Sequence, residues 1–93
     1  MLEIRILGES GAGKTLCANS FRKKLATANI ECALSDSDLF YGASNFDSKL
    51  DKIRNMYANN GVDILILTIT KQMNLTIEFT EKPRDSVLFA LFD

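Results

Sequence analysis

Apolar and polar residues alternate from the start of the chain, with Leu2, Ile4 and Ile6 set against Glu3 and Arg5 before Leu7 continues the apolar run. That period of two predicts a strand over residues 2–7, buried on at least one face. Further on the period lengthens. Ala18, Phe21, Leu25 and Ala28 fall on one helical stripe, Arg22, Lys23 and Lys24 lie largely away from it, and Asn29 closes the helix. A short strand follows over residues 30–34, with Ile30, Cys32 and Leu34 on one side. Residues 39–43 read as a loop or a short helical turn. Ser44-x-x-Asp47 then resembles an acidic capping box. Phe46, Leu50, Ile53 and Tyr57 keep helical spacing up to a stop at Asn60-Gly61. Residues 62–70 form an almost unbroken apolar run rich in β-branched side chains, the pattern of a central parallel strand covered on both faces. The tail differs again. Leu75, Ile77 and Phe79 alternate with Thr76, Glu78 and Thr80, residues 81–85 form a turn, and residues 86–92 form a second apolar strand. This pattern predicts a β-hairpin after a β-α-β-α-β unit.

Composition narrows the class. Ninety-three residues allow one domain with a modest core, and 46% hydrophobic against 25% charged residues excludes a disordered chain. A net charge of −1 leaves no electrostatic footprint for nucleic acid or an anionic membrane. The basic run Arg22-Lys23-Lys24 is read as the solvated face of a helix. No apolar run approaches a membrane span, and the strand beginning beside Met1 leaves no room for a signal peptide. Cys17 and Cys32 have no metal-ligand spacing and are read as buried thiols in the cytoplasm. With no histidine in the chain, histidine triads, histidine bases and histidine metal sites are excluded.

Between the first strand and first helix stands Gly8-Glu9-Ser10-Gly11-Ala12-Gly13-Lys14-Thr15, which satisfies the phosphate-loop pattern G-x-x-x-x-G-K-[ST]. Gly8, Gly11 and Gly13 free the backbone to bend and to bring its N–H groups close to a polyphosphate. Lys14 supplies charge for the β- and γ-phosphates, and the Thr15 hydroxyl suits Mg²⁺. Residues 8–16, Leu16 included, are the predicted nucleotide contacts, with ATP or GTP and Mg²⁺ as the cofactors. Glu9 and Ser10 face solvent at the apex. No acidic residue closes the third strand, which ends in threonine, so the carboxylates available to a metal are Asp36 and Asp38, delivered by the second strand. Asp38 is the preferred general base. Phe40 and Tyr41 are read as core packing and Lys71 as a solvated loop residue.

The octapeptide is also the loop of myosin-type motors, but nothing beyond it fits a motor. Residues 1–71 instead resemble the N-terminal part of the small-molecule P-loop kinases, adenylyl-sulfate kinase most of all. That family's D-G-D has its counterpart in Asp36-Ser37-Asp38, and its I-R-R element in Ile53-Arg54-Asn55. The resemblance implies a three-layer P-loop NTPase-like α/β sandwich with parallel strands in the order 2-3-1. The connection over residues 71–74 is too short for a crossover helix, so the fourth strand is expected antiparallel, giving 2-3-1-4-5. The resemblance also implies phosphoryl transfer from Mg-ATP to an acceptor hydroxyl, with Lys14 and Asp38 catalytic and Arg54 a substrate-anion contact. One arginine of the family appears here as Tyr41 or is missing, a second aligns with Lys49, and the lid is absent. The alternative is therefore a non-catalytic nucleotide-binding regulatory or interaction module. The doubly apolar run over residues 86–92 adds the expectation of a homodimer through the hairpin.

Overall fold

The computed structural model describes residues 1–36 and 39–80. They form a small α/β domain of six elements, β1 (Leu2–Gly8), α1 (Lys14–Thr27), β2 (Ala33–Ser35), α2 (Phe46–Asn59), β3 (Ile64–Thr70) and β4 (Thr76–Phe79). The sheet order is β2-β3-β1-β4. β1 runs parallel to β3 from Leu2 opposite Ile64 to Gly8 opposite Thr70, and β2 parallel to β3 from Ala33 opposite Leu65 to Ser35 opposite Leu67. β4 is antiparallel to β1, with Ile4 opposite Phe79 and Leu7 opposite Thr76. The five residues between β3 and β4 force this reversal, because a parallel return needs a crossover of a dozen residues or more. The expected 2-3-1 order and the antiparallel fourth strand are both present. The expected turn and fifth strand over residues 81–92 lie outside the described residues.

Period-two alternation divides the core between the two sheet faces. Ile4, Ile6, Ile64 and Ile66 pack with Ala18 and Leu25 of α1. Leu7, Leu65, Leu67 and Ile69 point the other way and pack with Leu39 and with Leu50 of α2. Phe46, Ile53 and Tyr57 border that second cluster, so the predicted stripe of α2 faces the sheet. With a helix on each face, β3 is buried along nearly its whole length, which is why its sequence is apolar at consecutive positions.

Both helices end on a left-handed residue. Asn29 has φ 61°, and Ile30 N–H turns back to Leu25 O at 2.8 Å. Gly61 has φ 75°, and Val62 N–H reaches Tyr57 O at 3.1 Å. Each pair satisfies carbonyls that the helix itself leaves open. This explains a correction to the second strand. Expected over residues 30–34, it begins only at Ala33, because Ile30 is spent on closing α1. Ile30, Cys32 and Leu34 still share the α1 side of the sheet. The Ser44–Asp47 capping box does not form; Asn45 is the cap residue without a side-chain cap bond, after a turn in which Phe46 N–H donates to Ala43 O at 3.0 Å. Residues 39–41 run alongside the end of β3 rather than in a helical turn, with Thr70 N–H to Leu39 O at 2.7 Å and Tyr41 N–H to Thr70 O at 2.9 Å.

Candidate functional site

β1 delivers the glycine-rich loop to the carboxyl end of the parallel strands, where ligands bind in open α/β sheets. Gly8 sits in a tight place: a Cβ there would lie 3.3 Å from Ala12 Cβ and 3.4 Å from Leu75 Cα, close enough that a neighbour would have to give by a few tenths of an ångström. Gly11 and Gly13 are needed for conformation, with φ of 82° and 91°. The loop curls on itself through Ala12 N–H to Glu9 O at 3.1 Å and Lys14 Nζ to Glu9 O at 2.6 Å. Gly13 then caps α1, and the first bond along the helix is Cys17 N–H to Gly13 O at 2.9 Å. The amides of Lys14, Thr15 and Leu16 therefore have no acceptor within the helix, and the positive end of its dipole opens onto the loop.

Opposite this helix terminus stands Asp36, the residue after β2. Thr15 Oγ1 donates to Asp36 Oδ2 at 2.9 Å, and Thr68 Oγ1 of β3 donates to Asp36 Oδ1 at 2.6 Å. An open groove of about 640 Å³ runs between the two sides, walled by the loop and first turn of α1 on one and by Asp36, Thr68 and Thr70 on the other. Glu9, Ser10, Gly11 and Ala12 are exposed at its rim, and Leu16 stands 78% exposed, an apolar side chain open to solvent beside it. Among the described residues no group of three or more histidine, cysteine, aspartate or glutamate side chains gathers as a metal site. The oxygens offered to a hard cation are those of Thr15 and Asp36, which suit Mg²⁺ only with phosphate and water completing the shell.

The structure thus brings Lys14, Thr15 and Asp36 together at the loop. Asp38 lies outside the described residues. Arg54 is elsewhere: its Nε donates to Glu3 Oε2 at 2.6 Å and its Nη2 to Glu3 Oε1 at 3.0 Å, with Asp51 3.7 Å away. Glu3 also holds Arg5 at 3.3 Å. Its side chain is only 9% exposed, and a carboxylate taken out of water to that extent needs cationic partners. Glu3 precedes Gly8 by five residues, roughly 16 Å along an extended strand, so this guanidinium is bound at the opposite end of β1 from the groove.

Two other expectations change. Phe40 and Tyr41 are 51% and 57% exposed rather than core residues. Lys71 is not simply solvated, because its Nζ lies 4.1 Å from the centroid of the Tyr41 ring, which itself meets Phe46 edge-on at 5.6 Å. Cys17 and Cys32 are half-buried free thiols. Partial burial raises both pKa values, against smaller opposing pulls from Lys24 and Arg22 respectively.

Sequence reasoning missed Thr68, Thr70 and Asn19 as groove residues. A signal for the threonines was present. Within the run ILILTIT the polar residues fall at alternate positions at the carboxyl end, which places both on the α1 face.

The fold and the groove define a small α/β domain with a glycine-rich loop and a hydroxyl–carboxylate cluster at the carboxyl end of its parallel strands. Comparison with protein-family models, curated proteins and solved structures finds no match to this chain.

Proposed function

We propose that this chain is a P-loop nucleotide-binding domain that takes the phosphate chain of Mg-ATP or Mg-GTP in the groove beside α1. The carrying observation is the meeting of Thr15 and Asp36 at 2.9 Å, directly after Lys14 at the head of the helix. The donor set fits the group. Backbone N–H groups and an ammonium suit phosphate oxygens, and a hydroxyl beside a carboxylate suits Mg²⁺. The parallel 2-3-1 order, with the loop between the first strand and first helix, further supports the resemblance to small-molecule P-loop kinases. On that reading the activity is phosphoryl transfer to an acceptor hydroxyl, as in adenylyl-sulfate kinase. Lys14 stabilises the transferred group and Asp38, two residues beyond Asp36, orients or deprotonates the acceptor. Free thiols at Cys17 and Cys32 support a cytoplasmic setting. No helix among the described residues is long and apolar enough to cross a membrane.

One observation favours the second reading, a nucleotide-binding module without turnover. Transfer demands positive charge around the moving phosphoryl group. Among the described residues the groove wall contains a single cationic side chain, Lys14, while Arg54 is engaged with Glu3. Titration of ATP and GTP with Mg²⁺ against wild type and Lys14→Ala, followed by assays of phosphate release and transfer, separates the readings. Binding weakened at least tenfold by Lys14→Ala is expected, with transfer supporting the kinase. Binding without turnover, adenylyl sulfate included among the acceptors, leaves the module. A folded wild type that binds neither nucleotide rejects both.

A further inference from the structure

Thr68 is 3% exposed within a strand whose neighbouring positions are filled by leucine and isoleucine. Valine has the same shape and would fit that environment without a polar atom. The hydroxyl spans to Asp36 Oδ1 at 2.6 Å, while the other oxygen of the same carboxylate accepts from Thr15 at 2.9 Å. Asp36 is itself exposed and stands one residue past a strand of three residues, so its own backbone does little to fix the rotation of its carboxylate. Two donors, one from β3 and one from α1, hold it by both oxygens.

We infer that Thr68 is a positioning residue for the metal-binding hydroxyl of Thr15, acting through Asp36; the inference rests on the groove being a Mg-nucleotide site. A threonine hydroxyl has one proton and two lone pairs. With its proton committed to Asp36, the Thr15 oxygen presents its lone pairs away from the carboxylate, the orientation in which it can serve a cation. Thr68 keeps the accepting carboxylate in place. Without it, Asp36 turns on its side-chain bonds and the Thr15 hydroxyl turns with it. Partners that orient metal ligands in this way contribute about 10–100-fold to metal affinity. A purely structural role makes a different prediction. β2 is already paired with β3 as far as Ser35 opposite Leu67, and the Thr68–Asp36 bond would then merely prolong that pairing by one step.

The test measures binding of a fluorescent ATP analogue in excess Mg²⁺ and in EDTA, with urea unfolding in parallel, for wild type, Thr68→Val, Thr68→Ser, Asp36→Asn and Lys14→Ala. The ratio of the two affinities is the Mg²⁺ enhancement. It should fall about tenfold in Thr68→Val and in Asp36→Asn and be retained in Thr68→Ser, with EDTA affinity held within twofold in the two Thr68 variants. Adding Thr68→Val to Asp36→Asn should lower it no further. If valine prevents folding, Thr68→Ala carries the same comparison. A folded Thr68→Val or Thr68→Ala with wild-type enhancement overturns the inference, as does an equal loss of affinity with and without Mg²⁺. If wild type binds and Lys14→Ala abolishes binding while the Thr68 variants behave as wild type, only the role of Thr68 falls. A wild type that binds no nucleotide removes the Mg-nucleotide reading, and the inference with it.

Discussion

Gly13 holds φ 91° and ψ 23° immediately before α1, a left-handed conformation that costs an L side chain roughly 1–2 kcal/mol. A Cβ at this position would meet nothing within 4 Å, so the penalty of Gly13→Ala is one of backbone conformation alone. We expect that variant to fold, to lose about 1 kcal/mol in urea unfolding, and to bind nucleotide more weakly as the Lys14 and Thr15 amides shift. A variant with unchanged stability and affinity would contradict that account. At this scale the bends of the loop were legible in advance, because Gly11 and Gly13 stand where the backbone takes positive φ. Thr68 was not. Its task depends on Asp36, which is 32 residues away in the chain, and a threonine in an apolar strand reads equally well as β-branched filler.

At the scale of the elements, the helix ends were written in single residues. Asn29 and Gly61 accept positive φ where other side chains resist it, and both mark the stops that the sequence predicts. The boundaries of β2 were harder, because alternation continues through Ile30 while the helix closure captures its N–H. Arg54 shows a different limit. Its position on α2 was legible, but its partner Glu3 is 51 residues distant, and only the packing of α2 onto the sheet decides between a substrate and a buried carboxylate. This knot joins α2 to β1. Glu3→Gln leaves Arg5 and Arg54 facing a neutral amide in a partly buried site, and should cost about 2 kcal/mol in urea unfolding, discounted from the range for fully buried pairs because the arginines are partly exposed. Unaltered stability would show that solvent replaces the pair at no cost.

For the molecule as a whole, order and direction of the described strands followed from chain geometry and from the resemblance to kinases, whereas the expected last strand, residues 86–92, lies outside the described residues. Its sequence still supports an expectation. Val87, Phe89 and Leu91 alternate with Leu88, Ala90 and Phe92, leaving no polar face for solvent. We propose that this segment is covered by a second copy of the chain. Sedimentation at tens of micromolar should then give a dimer, and a monomer at that concentration would refute it.

The strand order also governs when the protein can come into being. β1 has β3 and β4 as neighbours, and β2 has β3, so none of the pairings among the described strands joins β1 to β2. While a ribosome is still making residues 1–63, the described partners of β1 and β2 are missing, and the glycine-rich loop is tethered to a strand whose neighbours have yet to be made. Release of residues 64–70 supplies the shared partner for both at once. Such non-local pairing delays folding until residues 64–70 are available. Residues 2–8 and 33–35 thus gain their shared ladder only once residues 64–70 have been made, so the groove between the glycine-rich loop and Asp36 takes shape after both of its walls have been synthesised.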